Sequence, residues 1–129
     1  MFVFVYGTLK RGYHNHRLLE GQKFIREVES EPLYRMFDNG RYPMLTENAK
    51  PGKDGPPVAG NSIKGELWEV TEECGRQLDR LEGVPFLYKR AEIKVKDAEE
   101  KPIIGYIYQR DLFGYPDCGN SWPPPKRKK

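Results

Sequence analysis

The chain opens with an uninterrupted run of apolar residues. Residues 2–6 read Phe-Val-Phe-Val-Tyr, and Gly7 ends the run. β-Branched and aromatic residues without polar residues between them are typical of a strand that is covered on both faces. We therefore predict a central β-strand at the start of the chain.

Five further segments have the composition or alternation of strands. They are residues 23–28, 33–37, 63–70, 88–95 and 102–109. Pro32 separates the first two of these segments, and the charged turn at residues 97–100 joins the last two, which we expect to pair. Strands dominate the pattern.

Two segments have helix signals. Thr71 is placed to cap a helix over residues 72–82, and Gly83 is placed to end it. Asn15 can cap a shorter helix over residues 16–20. Because strands and helices do not alternate regularly, the order predicts an α+β domain on a mixed sheet that could curve into a barrel.

Two segments have neither the helical nor the strand periodicity of apolar residues. Residues 46–62 hold three Pro and three Gly, which predicts a long loop, either a lid or disordered. Residues 117–129 include a Pro-rich stretch followed by basic residues and predict a flexible tail. We therefore expect one domain over residues 1–116, followed by this tail.

Composition and charge disfavour several classes of protein function. The formal net charge is +3, and Lys126–Lys129 carry +4, so the rest of the chain carries −1. A body without clustered positive charge disfavours nucleic-acid binding. Cys74 and Cys118 have no metal or redox spacing and suit free thiols, and no apolar run has the length of a membrane span or a signal segment. We therefore expect a cytoplasmic protein.

The turn after the first strand is a candidate ligand site. Tyr6, Gly7, Thr8 and Leu9 should expose backbone N–H groups at one end of the sheet, and Gly7 permits close approach of a ligand. Such groups bind carboxylates and oxyanions. The alternative is an ordinary strand-ending turn, since the repeated glycines and Lys-Ser/Thr pair of a phosphate loop are absent.

A glutamate at the end of the second helix is a candidate for proton transfer. Cys74, Leu78 and Leu81 form the core-facing stripe, so Glu82 lies at the border between core and solvent, whereas Asp79 faces further out. Burial and the helix dipole would both raise the pKa of Glu82, as acid/base catalysis at neutral pH requires.

Structural alternatives remain for Glu82 and for the histidines. Glu82 could instead be a solvated last-turn residue that pairs with Arg80 or Lys89. His14 and His16 form an H-x-H pair without an acidic or Cys companion at an obvious spacing, which favours surface or helix-cap roles over a metal site. The basic end of the chain could be a targeting or acidic-partner segment, although a solvated tail is the simpler interpretation.

Taken together, several segments resemble the γ-glutamylcyclotransferase-like family, and its γ-glutamylamine cyclotransferases in particular. The resemblance rests on residues 2–12, which include Tyr6-Gly7-Thr8-Leu9, on Asn15-His16-Arg17, on Arg41-Tyr42-Pro43, and on residues 78–88, which include Leu81-Glu82-Gly83-Val84-Pro85. It implies a small mixed β-barrel with flanking helices. It also implies an enzyme that closes a γ-glutamyl compound, such as γ-glutamyl-ε-lysine, to 5-oxoproline and releases an amine, without metal or cofactor.

The resemblance also assigns residue roles. Tyr6, Gly7, Thr8 and Leu9 would hold the γ-glutamyl part of the substrate, and Glu82 would be the general acid/base. Tyr88 matches an aromatic position that lines the family's pocket, and residues 42–43 match a turn beside it. Two alternatives stay open: a non-catalytic binding or regulatory module on the same fold, and a cyclotransferase for another γ-glutamyl compound.

Overall fold

The computed structural model describes residues 1–47, 60–110 and 114–123. These residues form seven strands, one α-helix and one short 3₁₀ helix. In chain order they are β1 (Phe2–Val5), the 3₁₀ helix (His16–Leu19), β2 (Lys23–Glu29), β3 (Tyr34–Asp38), β4 (Pro43–Glu47), β5 (Lys64–Glu69), α1 (Glu72–Leu81), β6 (Tyr88–Glu92) and β7 (Ile103–Tyr108).

The first strand lies at the centre of the main sheet, as predicted. The strand order is β2-β5-β1-β7-β6, with β1 antiparallel to β5 and parallel to β7. Val3 and Val5 pack with the cluster under α1, whereas Phe4 and Tyr6 pack with the cluster on the opposite face. Both faces of β1 are therefore covered, which explains why its sequence has no polar alternation.

The α+β class is confirmed, but the main sheet is not closed into a barrel. Among the described residues, the edge strands β2 and β6 do not pair, and a bridge between Ser30 and Val95 joins the chain just beyond the two strands. Two backbone hydrogen bonds flank this bridge, from Glu31 N to Lys94 O (2.8 Å) and from Lys96 N to Glu29 O (2.9 Å). The sheet thus curves until its edges touch at one end without pairing along their length.

A second sheet contains a strand that the sequence did not predict. β4 pairs with β3 in an antiparallel hairpin, with Leu45 opposite Met36. Met44 and Leu45 are fully buried. The expected loop therefore does not begin at Thr46, which lies in β4; residues 48–59 of that expected loop lie outside the described residues.

Residues 114–123 pack against the domain, although part of this segment was expected to be a tail. Cys118 and Trp122 are 5% and 8% exposed and belong to the core cluster around β3 and β4. Cys118 N donates to Met36 O (2.8 Å), and Trp122 Nε1 donates to Asp38 Oδ1 (3.1 Å). The packed unit therefore extends to residue 123, and residues 124–129 lie outside the described residues.

The helix α1 begins as its capping signal predicts. Thr71 Oγ1 accepts a hydrogen bond from Cys74 N (3.1 Å). Cys74 and Leu78 are buried against the sheet, but Leu81 is 39% exposed, so its assignment to the core stripe was wrong. None of the described helices is long and apolar enough to cross a membrane.

Candidate active site

A cavity of about 460 Å³ opens where β1 ends. The described residues that line it come from the β1 turn, the start of the 3₁₀ segment, the β3–β4 turn, the end of α1 and the strands β6 and β7. They are residues 4–9, 14–15 and 41–43, together with Leu81, Glu82, Leu87, Tyr88 and Tyr106. All six residues to which the sequence analysis gave a site role line this one cavity.

The turn at residues 6–9 is held from several sides. Tyr6 is buried, and its hydroxyl donates to Tyr106 O (2.6 Å). Asn15 Nδ2 donates to Thr8 Oγ1 (2.9 Å), and Asn15 N donates to Thr8 O (3.0 Å). We had predicted that the Asn15 side chain caps the helix that follows it. Instead this side chain stabilises the turn, and the helix is 3₁₀ rather than α.

The same turn presents backbone donors that other described residues do not use. The N–H groups of Gly7, Thr8 and Leu9 form no hydrogen bond with another described residue, whereas Lys10 N donates to Gly7 O (3.0 Å). Consecutive N–H groups in a turn can bind a carboxylate or an oxyanion. The cavity can thus accept negative charge without a cationic side chain from this turn.

Gly7 is required by its neighbour across the cavity. A Cβ atom at this position would lie 2.6 Å from Pro43 Cγ and 2.8 Å from Pro43 Cδ. The Tyr88 hydroxyl donates to Pro43 O (2.7 Å), so this proline connects the β1 turn to β6. We expected Gly7 to permit close approach of a ligand; in the structure its missing side chain also makes room for Pro43.

Glu82 follows α1 directly and is half-buried. Its backbone N–H donates to Leu78 O (3.0 Å), and its side chain forms no hydrogen bond or salt bridge with another described residue, so the pairing considered with Arg80 or Lys89 is not formed. Desolvation by burial raises the pKa of the Glu82 carboxyl to about 7. The carboxyl can therefore both accept and release a proton near neutral pH.

Tyrosine side chains form one wall of the cavity. The ring centroids of Tyr42 and Tyr88 lie 6.4 Å apart, and Tyr106 lines the cavity beside them. Burial, followed by the nearby charge of Glu82, raises the pKa of the Tyr88 hydroxyl, and burial and the hydrogen bond to Asp79 raise that of Tyr106. Both hydroxyls therefore stay neutral and act as hydrogen-bond donors and packing surfaces.

Three features of the site were missed or misplaced in the sequence analysis. Asp79 was expected to face outward, but its Oδ1 accepts hydrogen bonds from Arg90 Nε (2.7 Å) and the Tyr106 hydroxyl (2.8 Å). Tyr106 and Arg41 line the cavity and were not given a site role. A strand pairing places Tyr106 here and a hairpin places Arg41, and neither is visible in local spacing.

The two histidines of the H-x-H pair have different surroundings. His14 is exposed and lines the cavity, whereas His16 Nδ1 lies 3.0 Å from Leu9 O and its ring packs edge-on to Trp68. Among residues 1–47, 60–110 and 114–123, no group of three or more His, Cys, Asp or Glu side chains could hold a metal ion.

The amino-acid sequence matches a known protein family over most of its length. The family model described as gamma-glutamyl cyclotransferase, AIG2-like, matches residues 3–124, which is most of the chain. The chain belongs to this family. The resemblance noted in the sequence is thereby confirmed.

Known proteins and solved structures are similar to this chain over most of their length. The gamma-glutamylaminecyclotransferase of Homo sapiens is 35% identical over 128 residues, covering 86% of this chain and 79% of the human protein. The crystal structure of an AIG2-like protein from Mus musculus superposes with a TM-score of 0.70 at 26% identity, covering 94% of this chain and 86% of the other. A uropathogenic E. coli-specific protein shares the fold, with a TM-score of 0.74 at 24% identity and coverage of 94% and 91%.

Proposed function

We propose that this member of the family is a γ-glutamylamine cyclotransferase that converts a γ-glutamylamine, such as γ-glutamyl-ε-lysine, to 5-oxoproline and a free amine. One observation carries the proposal. A half-buried carboxyl with a pKa of about 7, that of Glu82, lines the same cavity as a turn whose backbone N–H groups can receive negative charge.

The turn holds the γ-glutamyl part of the substrate. The N–H groups of Gly7, Thr8 and Leu9 stabilise negative charge on this part, and Tyr6 fixes the end of β1 through its hydrogen bond to Tyr106. Tyr88 contributes an aromatic wall. Because both reacting groups belong to one molecule, holding the folded-over conformer removes much of the entropic barrier to ring closure.

Glu82 moves the protons of the reaction. Its carboxylate takes a proton from the substrate α-ammonium, and the freed amine attacks the γ-carbonyl carbon and forms the new C–N bond of the lactam. The bond from that carbon to the leaving nitrogen then breaks as the protonated Glu82 returns the proton to this nitrogen. The ring nitrogen still carries one extra proton, which passes through the freed Glu82 carboxylate to the departing amine, so that the amine leaves as an ammonium ion. The sum is one γ-glutamylamine in, one 5-oxoproline and one amine out, with no water consumed.

Two observations favour the γ-glutamylamine type. A relative 35% identical to this chain is named a gamma-glutamylaminecyclotransferase. The cavity lining includes Leu81, Leu87 and Tyr42, whose apolar surface suits the aliphatic stem of an amine.

The test is direct. Purified protein is incubated with γ-glutamyl-ε-lysine, γ-glutamyl-alanine or glutathione, and 5-oxoproline is measured. Glu82→Gln should lower kcat by about 10²- to 10⁴-fold, the range that general acid/base groups contribute. For the wild type, kcat/KM should rise with pH through about 7, where half of the Glu82 carboxyl groups are ionised, and level off above that pH.

The matched control is Glu73→Gln, which alters an exposed glutamate of the same helix away from the cavity. It should retain wild-type turnover. Full turnover by Glu82→Gln would overturn the assignment of the acid/base, and the absence of 5-oxoproline from all three compounds would favour the non-catalytic binding module.

A further inference from the structure

Among the described residues that line the cavity, one at the mouth carries a formal positive charge. Among the described lining residues, His14, Arg41 and Leu81 are exposed and therefore mark the rim. Arg41 and Glu82 are the two described lining residues with a formal charge at pH 7. The guanidinium of Arg41 forms no salt bridge with another described residue.

The turn that carries Arg41 is held in one conformation by its own side chains. Asn39 Oδ1 accepts hydrogen bonds from Arg41 N (2.8 Å) and Tyr42 N (2.9 Å). Asp38 Oδ1 accepts from Gly40 N (2.8 Å), and Gly40 adopts φ +93°, which other residues rarely adopt. The backbone at Arg41 is thereby fixed, so less entropy is lost when its side chain binds an anion.

The direction of the cavity determines which part of a substrate reaches this charge. Tyr6 and Thr8 are buried and lie at the inner end, where the proposed function places the γ-glutamyl part. The substituent on the leaving nitrogen must then run toward the exposed rim. Leu87, Leu81 and Arg41 line the same cavity, and Leu81 and Arg41 are exposed, so the rim offers this substituent apolar side chains and a guanidinium.

We propose that Arg41 is a specificity-determining residue that selects leaving amines with an aliphatic stem and a carboxylate at the far end, over amines with a neutral or cationic end. This inference rests on the proposed function. An amino acid joined through its side-chain amine presents an α-carboxylate to the guanidinium, beside its own α-ammonium. A diamine or polyamine presents only ammonium groups, which the guanidinium repels.

The test uses three substrates with the same six-carbon stem: the γ-glutamyl derivatives of 6-aminohexanoate, of hexylamine and of 1,6-diaminohexane. Their ends are negative, neutral and positive at pH 7. In the wild type, kcat/KM for 5-oxoproline release should fall in that order by about two- to fivefold at each step, the range of exposed ion pairs. At 0.5 M NaCl the three values should converge because salt screens the interaction.

Variants at position 41 separate this role from others. Arg41→Lys should keep the order, Arg41→Ala should bring the three values together, and Arg41→Glu should reverse the order. The control Arg76→Ala, which removes an exposed arginine of α1 outside the cavity lining, should keep the wild-type order. An equal loss with all three substrates in Arg41→Ala would overturn the inference, since Arg41 would then bind the shared γ-glutamyl part.

Binding measurements keep the inference separate from the proposed function. If no compound yields 5-oxoproline, the proposed function fails, and calorimetric affinities for the same three compounds still test Arg41. A preference for the carboxylate that disappears in Arg41→Ala supports the inference. Equal affinities, or no binding of any compound, would overturn it.

Discussion

Replacing Glu82 by glutamine should stabilise the protein at alkaline pH. The pKa of the Glu82 carboxyl is raised from 4.5 to about 7, and desolvation by burial is the cause. This difference in pKa corresponds to about 3 kcal/mol of free energy that opposes ionisation in the folded state. Glutamine has nearly the same shape and no charge, so the variant does not carry this cost.

The direction of the pH dependence follows from the raised pKa. Below about pH 4.5 the carboxyl is protonated in the folded and the unfolded protein, and its ionisation costs nothing. Between about pH 4.5 and 7 the unfolded chain ionises first, so the wild type loses stability relative to Glu82→Gln as the pH rises. Above about pH 7 the difference is complete.

Urea unfolding of both proteins at pH 4.5 and pH 8.5 measures this difference. The free energy of unfolding of Glu82→Gln should exceed that of the wild type by about 3 kcal/mol more at the higher pH than at the lower. Glu73→Gln is the control, because a carboxylate in the first turn of α1 interacts favourably with the helix dipole; it should change stability by less than about 1 kcal/mol, in the opposite direction. A Glu82→Gln difference that is the same at both pH values would refute the desolvation of this carboxyl.

Two further substitutions test the packing of the turn at Gly7 and of residues 114–123. Gly7→Ala places a Cβ atom 2.6 Å from Pro43 Cγ, so the turn or β4 must shift; we expect a loss of about 1 to 3 kcal/mol in urea unfolding and a fall in 5-oxoproline release, and an unchanged enzyme would refute the close contact. Trp122→Ala empties a core position, and we expect a loss of about 3 to 5 kcal/mol; a loss below about 1 kcal/mol would show that residues 114–123 do not stabilise the domain.

Elements whose signals are local could be predicted from the sequence. The run at residues 2–6 reports burial on both faces by itself, and β1 lies between two strands as expected. The Thr71 cap sets the start of α1 because the bond from Cys74 N depends only on residues three apart. In both cases the information lies within a few residues of the element.

Elements that depend on distant partners could not be predicted. β4 has only a short apolar stretch, and its position depends on pairing with β3 and on the contacts of Pro43 with Gly7 and Tyr88. The barrel expectation failed for a related reason. Whether two edge strands pair along their length depends on the curvature of the whole sheet, which local periodicity does not report.

The helical periodicity of α1 predicts the direction in which each side chain leaves the helix, but not which residues of other elements it contacts. It placed Asp79 toward solvent, yet Arg90 from β6 and Tyr106 from β7 reach this carboxylate. It placed Leu81 in the core, yet the side chain lies at the cavity rim because the cavity opens there. Whether a helix residue is buried or exposed therefore depends on its contacts with other elements as well as on its position around the helix axis.

Two carboxylates lie near the end of α1: Asp79 within the helix and Glu82 directly after it. Their surroundings differ, and this difference indicates which of them can transfer protons. Asp79 and Glu82 are three residues apart, and one turn of helix therefore brings them to neighbouring positions. Asp79 accepts hydrogen bonds from Arg90 and Tyr106 and does not line the cavity. Glu82 lines the cavity, has no such side-chain partner among the described residues, and has a pKa near neutrality because of burial. A carboxylate that is engaged by a guanidinium and a phenol holds the end of α1 against β6 and β7, whereas the unengaged one can approach a substrate. This division of roles is the physical reason for assigning proton transfer to Glu82 in the proposed reaction.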